Sequence, residues 1–298
     1  MIMDPIRNDI PGFQPDCATL NGQTIAFERG GDGPPLLLLH GFPQTRAMWA
    51  EVAPLLAKNH AVICPDLRGY GESGKPQGLE NYSFREMASD MLALMAQLGH
   101  RQFHVAGHDR GGRTAHRLAL DAPEALITLT VMDIVPTHRL LNDLSHKVAK
   151  AYYHWFFLAQ PEPFPETMIA ADPDAFYESC LLGFGAADLA DFKPAQLAAY
   201  RAAWSDPDCR RAMCDDYRAA IEVDFDMDAA DLARRVTCPS LVLYGRDGAM
   251  ARAFDVPATW ANRLTEMAGG AIPGGHFFVD QSPQETTRAL QEFLAAWR

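Results

Sequence analysis

The stretch Gly107-His108-Asp109-Arg110-Gly111 joins a short apolar run, Phe103-His104-Val105-Ala106-Gly107, to a helical pattern over Gly111–Leu120. It has the form glycine, any residue, nucleophile, any residue, glycine. Two glycines permit a strained, sharp strand-to-helix turn that lifts the central side chain off the edge of a sheet. Here that side chain is the carboxylate of Asp109. Taken alone, the five residues describe a simple β-turn equally well. The reading therefore depends on what flanks them.

Comparable apolar runs recur on both sides: Leu36-Leu37-Leu38-Leu39 before His40-Gly41, Ala61-Val62-Ile63-Cys64, Leu126–Ile134, and Leu241-Val242-Leu243-Tyr244-Gly245. A continuous apolar run predicts a strand buried on both faces. Helical patterns such as Phe84–Leu98 and Gly111–Leu120 lie between them. Strands alternating with helices imply a mostly parallel central sheet flanked by helices, an α/β fold. Ahead of these, Asn21-Gly22 within Ala18–Glu28 signals a hairpin, and residues 1–16 read as a surface arm. After Pro136 the alternation stops. Residues 137–234 hold no convincing strand and are punctuated by Pro161, Pro163, Pro165, Pro173, Pro194 and Pro207. They read as a helical cap inserted into a core made of residues 1–136 and 235–298. The strand–helix pattern resumes at Val236. It ends at Ser282-Pro283-Gln284-Glu285, where an N-cap serine, proline at N1 and glutamate at N3 predict a last helix.

The chain has 298 residues and a formal net charge of −12; 48% of residues are hydrophobic and 21% charged. That length buries a core without staples, and the acidic excess argues against a nucleic-acid or anionic-membrane partner. Leu36–Leu39 is too short to span a bilayer. No basic segment followed by an apolar one opens the chain, so no secretory signal is expected. The six cysteines (17, 64, 180, 209, 214 and 238) include no C-x-x-C, which predicts reduced thiols in a cytoplasmic protein. Gly69-Tyr70-Gly71-Glu72-Ser73-Gly74 imitates a dinucleotide fingerprint, but Lys75-Pro76 follows it instead of a helix. His104 and His108 have metal-like spacing but straddle a strand and a turn. Neither cofactor nor metal is expected.

The remaining chemistry follows in the chain order nucleophile, acid, histidine. Gly274-Gly275-His276 supplies a base, and either Asp133 or Asp247 could orient its imidazole. The backbone N–H of Arg110 and one from His40-Gly41-Phe42-Pro43, at Phe42, would form an oxyanion hole; one such donor is typically worth about 3–4 kcal/mol. His108 is expected to pack beside the turn, and Arg117 to serve a surface or structural role. A carboxylate nucleophile is already ionised at neutral pH and suits displacement at saturated carbon.

With these residues in view, the sequence resembles the α/β-hydrolase superfamily over almost its whole length. The carriers are His40-Gly41-Phe42-Pro43, Asp66-Leu67-Arg68-Gly69-Tyr70-Gly71-Glu72-Ser73, the aspartate turn and Gly275-His276. An aspartate at the turn narrows this to dehalogenases and epoxide hydrolases. Gly107–Arg113, Asp133-Ile134-Val135-Pro136-Thr137, Tyr153–Pro161 and Cys214-Asp215-Asp216-Tyr217-Arg218 resemble the fluoroacetate (haloacetate) dehalogenases. The resemblance implies Asp109 as nucleophile, His276 as base and Asp133 as its acid. It implies Arg110 and Arg113 as the grip on a substrate carboxylate, and His154, Trp155 and Tyr217 as donors to the departing halide. It further implies a small anionic 2-haloacid as substrate and a homodimer. Two rivals stand beside this reading. Epoxide hydrolysis would draw on Tyr152, Tyr153, Tyr177, Tyr200 and Tyr217 to protonate a ring oxygen, and a non-catalytic receptor would use the fold alone.

Overall fold

The apolar runs become the inner strands of one eight-stranded sheet. In this computed structural model, residues 6–183 and 187–297 are described. The strands are β1 (Gln14–Leu20), β2 (Gln23–Gly30), β3 (Pro35–Leu39), β4 (Ala61–Pro65), β5 (Phe103–His108), β6 (Leu126–Met132), β7 (Ser240–Gly245) and β8 (Met267–Ile272). Their order across the sheet is β1-β2-β4-β3-β5-β6-β7-β8. β1 and β2 pair antiparallel, as do β2 and β4, and every later pair is parallel. Leu36, Leu37, Leu38 and Leu39 are wholly buried, as a strand covered on both faces requires. The β1–β2 hairpin closes at Asn21 (φ 49°) and Gly22 (φ 77°), the positive pair that a two-residue hairpin turn needs.

Strand β6 stops two residues short of the Leu126–Ile134 run because Asp133 adopts φ 50° and turns the chain out of the sheet. Between β6 and β7 the chain is helical, from Thr137–Asn142 through Phe225–Ala230, with no strand among the described residues. No helix among the described residues is long and apolar enough to cross a membrane.

Two local expectations fail. Ser282 does not cap the last helix, Pro283–Ala295, with its side chain; its carbonyl instead accepts from the backbone N–H of Thr286 at 3.0 Å and its hydroxyl at 2.9 Å. The segment read as a surface arm is anchored: Ile10 and Phe13 are buried and Gln14 opens β1, while residues 1–5 of that reading lie outside the described residues. The anchor is ionic. The Arg46 guanidinium is fully buried, donates to Glu28 at 2.9 Å and ion-pairs with Asp66 and Glu72, and it also donates to the carbonyl of Arg7 at 2.8 Å. Glu28 in turn accepts from the backbone N–H of Asp9 and Ile10. Removing one member of a buried ion group strands the others. Arg46→Leu is expected to lower unfolding free energy by about 3–5 kcal/mol, read by denaturant titration. A loss below about 1 kcal/mol, the surface-pair range, would refute this account of the anchor.

Candidate active site

Asp109 occupies the turn between β5 and the helix Arg110–Asp121, at φ 47° and ψ −114°. Such a conformation costs a non-glycine residue of order 1–3 kcal/mol, so the surroundings must enforce it. A Cβ on Gly107 would lie 2.2 Å from the carbonyl oxygen of Gly111, and one on Gly111 would lie 2.5 Å from that of His40. Only glycine allows the strand and helix to meet this closely. Asp109 stands at the helix N-cap without capping it. Its Oδ2 instead accepts from the backbone N–H of Phe42 at 3.0 Å, the donor expected from the loop after β3. That loop is fixed by His40, whose Nδ1 bonds the Gly41 carbonyl and whose Nε2 accepts from Leu67 N–H, both at 3.0 Å. The tautomer is assigned from these partners.

His276 lies beside Asp109 on the loop after β8. Its Nδ1 is 2.6 Å from Asp133 Oδ2. Asp133 is wholly buried, and its Oδ1 accepts from the backbone N–H of Gly245 at 2.8 Å. The alternative acid, Asp247, is mostly exposed beside Arg246 and accepts only a long bond from Gly274 N–H, 3.3 Å. The structure thus joins His276 to Asp133 and leaves Asp247 at the surface. Burial alone would raise the Asp109 pKa, but His276 and the arginines Arg110 and Arg113 outweigh it and bring it to about 2. Burial would lower that of His276, but the bond to Asp133 and the charges of Asp133 and Asp109 lift it above 6.5.

His108 is buried beside the turn, with Nε2 2.8 Å from the carbonyl of His276; burial lowers its pKa to about 4. Arg117 pairs with Asp121 and Asp231. His104 bonds Thr128 Oγ1 at 2.8 Å.

The two arginines on the first turn of the helix after Asp109 are not equivalent. Arg110 uses Nε and Nη2 on Asp216, at 2.8 Å to Oδ2, 2.9 Å to the carbonyl and a further bond to Oδ1. Its guanidinium lies against the rings of Tyr217, Phe84 and Trp155, at 4.3, 4.6 and 5.0 Å. Only Nη1 is left, buried and without a protein partner. Arg113 spends Nη1 on the Val135 carbonyl and Thr137 Oγ1, both 3.0 Å, and keeps a buried Nε without a partner. Its guanidinium lies 4.8 Å from the Trp155 ring. Burial lowers its pKa to about 10, so it stays cationic at neutral pH.

The helical segment supplies the roof. The His154 ring stacks on Phe42 with centroids 5.8 Å apart, Tyr217 meets Phe42 edge-on at 5.0 Å, and Trp155 meets Tyr217 at 5.2 Å. Tyr217 Oη and His154 Nδ1 are buried without partners. Burial and the nearby Asp109 charge push the Tyr217 phenol well above its usual range, and burial lowers the His154 imidazole to about 3. Both are therefore neutral. Of the other tyrosines, Tyr152 borders the cavity, Tyr200 bonds Gln44 and Asp280, and Tyr153 is partly exposed. A cavity of about 40 Å³ adjoins Asp109, Phe42, His154 and His276. Sequence reasoning gave no part to Asp216, Phe84 or Thr137. Asp216 lies within Cys214-Asp215-Asp216-Tyr217-Arg218, but nothing local marks Arg110, 106 positions away, as its partner.

A family described as the alpha/beta hydrolase fold matches residues 34–283. A fluoroacetate dehalogenase from Burkholderia sp is 52% identical over 287 residues, covering 95% of this chain and 94% of that protein. A soluble epoxide hydrolase from Corynebacterium sp. (strain C12) is 30% identical over 285 residues, covering 94% and 97%. The crystal structure of a putative alpha/beta hydrolase from Nostoc sp PCC 7120 superposes with a TM-score of 0.93 at 44% identity, covering 95% of this chain and 98% of that one. The chain belongs to the α/β-hydrolase fold family, in its fluoroacetate dehalogenase branch.

Proposed function

We propose that this chain hydrolyses 2-haloacetates, fluoroacetate and chloroacetate among them, to glycolate and halide through an ester on Asp109. The observation that carries the proposal is a set of buried donors without protein partners, Arg110 Nη1, Arg113 Nε and Tyr217 Oη. All three residues interact electrostatically with the ionised Asp109 carboxylate. A buried unpaired donor costs about 1–3 kcal/mol, and an anionic substrate with an anionic leaving group would satisfy all three.

In the first step Asp109 attacks the halogen-bearing carbon from the rear. The carbon–oxygen bond forms as the carbon–halogen bond breaks. Holding carbon and carboxylate in line could supply about 7–11 kcal/mol of the barrier. The electron pair leaves with the halide, which Tyr217, His154 and Trp155 receive as its charge grows, where donors contribute to rate. In the second step His276 takes a proton from water, and the hydroxide attacks the Asp109 carbonyl carbon. The N–H groups of Phe42 and Arg110 hold the resulting oxyanion. Collapse returns Asp109 as carboxylate and releases glycolate, its oxygen protonated from the intermediate, and His276 gives its proton to solvent. Residues 137–234 act as the cap over this site. The proposal includes a homodimer, resting on the family resemblance, and a cytoplasmic setting, resting on cysteines that form no disulfide.

Epoxide hydrolysis is the second reading, favoured by two neutral phenols, Tyr152 and Tyr217, whose pKa values are both raised by burial and the Asp109 charge. Purified protein given fluoro-, chloro- and bromoacetate, and separately styrene oxide, decides between them. Halide with glycolate supports the proposal; diol with no halide replaces it.

A pH dependence follows. His276 acts only when neutral, and its pKa lies above 6.5 in the free enzyme. Turnover should fall as pH drops through that pKa. Esterification removes the Asp109 charge that helps raise it, so the acid limb of kcat should lie at lower pH than the NMR titration of His276 in the free enzyme. A kcat that rises on acidification would contradict the role.

A further inference from the structure

Arg110 reaches a site at the base of the helical segment through an arrangement that the functional reading leaves unexplained. The helix Pro207–Ala219 carries Asp215 and Asp216 side by side, and successive helical positions face different neighbours. Asp215 turns to its own helix, accepting from Arg211 and Arg218 at 2.8 Å each. Asp216 turns inward and is wholly buried. It grips Arg110 along the Nε–Nη2 edge and accepts from the Tyr70 hydroxyl at 2.6 Å. Tyr70 is itself wholly buried and lies edge-on to His40, with ring centroids 5.1 Å apart.

We propose that Asp216 is a positioning residue for the substrate carboxylate: it occupies the forked edge of Arg110 and aims Nη1 alone at the substrate. This inference rests on the haloacetate reading above. A free guanidinium offers a carboxylate two parallel N–H groups. Arg110 has already given that edge to Asp216, so it approaches the substrate end-on. The two arginines divide the task. The Arg110–Asp216 pair is net neutral and contributes a fixed hydrogen bond, whereas Arg113, which has no carboxylate partner among the ion pairs of the described residues, contributes the uncompensated positive charge. The rings of Phe84, Trp155 and Tyr217 keep the Arg110 plane from turning once its edge is held. Tyr70 donates to the same Asp216 Oδ2 that accepts from Arg110 Nε, and its ring meets His40 in the loop that carries the Phe42 N–H.

Asp216→Asn keeps the shape but puts an amide N–H where one guanidinium N–H now bonds, so Arg110 loses its fixed direction. The test measures KM and kcat for chloroacetate and the inhibition constant of acetate, an unreactive carboxylate, for wild type, Asp216→Asn, Tyr70→Phe and Asp215→Asn. The expected result is a rise of at least tenfold in both KM and the acetate constant for Asp216→Asn, with kcat reduced less than threefold. Tyr70→Phe should show a smaller rise in the same two constants. Asp215→Asn should lower the melting temperature and leave both constants within twofold. Constants within twofold of wild type in Asp216→Asn, or an equal shift in Asp215→Asn, overturn the inference. Should Asp216→Asn fail to fold, Tyr70→Phe decides alone: unchanged constants overturn the inference. A wild type that releases no halide from any haloacetate removes the functional reading and this inference with it, an outcome distinct from any variant effect.

Discussion

Asp109→Ala is expected to abolish halide release from haloacetates, a fall on the order of 10⁴-fold or more, as when a nucleophile that forms a covalent intermediate is deleted. The reason is geometric and electrostatic together. Asp109 is held at φ 47° by glycines that admit no side chain, and it is kept ionised, at about 2, by His276 and the arginines against the pull of burial. Neither Asp133 nor Asp216 is free to take its place: Asp133 is turned onto His276 and Gly245, and Asp216 is committed to Arg110 and Tyr70. The variant should still bind acetate at least as tightly as wild type, because a negative charge facing the ligand is gone while Arg110 and Arg113 remain. Binding by calorimetry and halide release by ion electrode separate the two effects. Turnover within tenfold of wild type would show that Asp109 does not carry the reaction.

How far the sequence reaches depends on whether a signal is local. The inner strands are legible because burial on both faces forces a continuous apolar run, as in Leu36–Leu39. The turn at Asp109 is legible because the close approach of Gly107 to Gly111 leaves two glycines at fixed spacing. The partner of His276 is not legible: Asp133 and Asp247 each follow a strand. The choice is made by Asp133's φ of 50° and by the register that brings Gly245 N–H to its Oδ1. Nothing local to Arg46 marks its role, and only the folded chain shows its partners, the buried Glu28 and Asp66 and the half-buried Glu72. Asp216 lies 106 positions from Arg110, and no periodicity encodes that contact. Ser282 shows the converse failure, a complete local capping signal whose serine makes no side-chain cap bond. His154, Trp155 and Tyr217 came from family resemblance, and spacing alone would have assigned them to an aromatic core.

Acid excess and an anionic substrate are in apparent conflict. The formal charge of −12 repels a haloacetate at long range, though salt screens this beyond roughly 8 Å. Inside the site one cation, Arg113, has no carboxylate partner among the ion pairs of the described residues. On the proposed haloacetate reading, Arg110 is neutralised by Asp216, so the substrate carboxylate would meet Arg113 as the unpaired cation, while Asp109 stays ionised and able to attack. A second uncompensated arginine would bind substrate better and blunt the nucleophile, which is a physical reason for Asp216 to be present.

His276→Asn is the sharper test of mechanism, because it should stop the enzyme halfway. Ester formation requires only the ionised Asp109 carboxylate and donors for the halide, none of which depends on a base. Hydrolysis of the ester requires proton removal from water, and His276, oriented by a 2.6 Å contact with Asp133, is the group placed to do it. Loss of a general base typically slows a step by about 10²–10⁴-fold, so the ester should accumulate. Mixing the variant with chloroacetate should release one equivalent of chloride per active site and then nearly stop. Intact mass spectrometry should show the gain of one carboxymethyl group, and peptide mapping should place it on Asp109. In heavy-oxygen water the wild-type Asp109 carboxyl should gain label over multiple turnovers, because hydroxide attacks its carbonyl carbon, while the arrested variant should gain none. An unmodified variant that also releases no first equivalent would mean that His276 acts before the carbon–halogen bond breaks. Label entering glycolate directly, with none in Asp109, would replace the ester by direct attack of water on carbon.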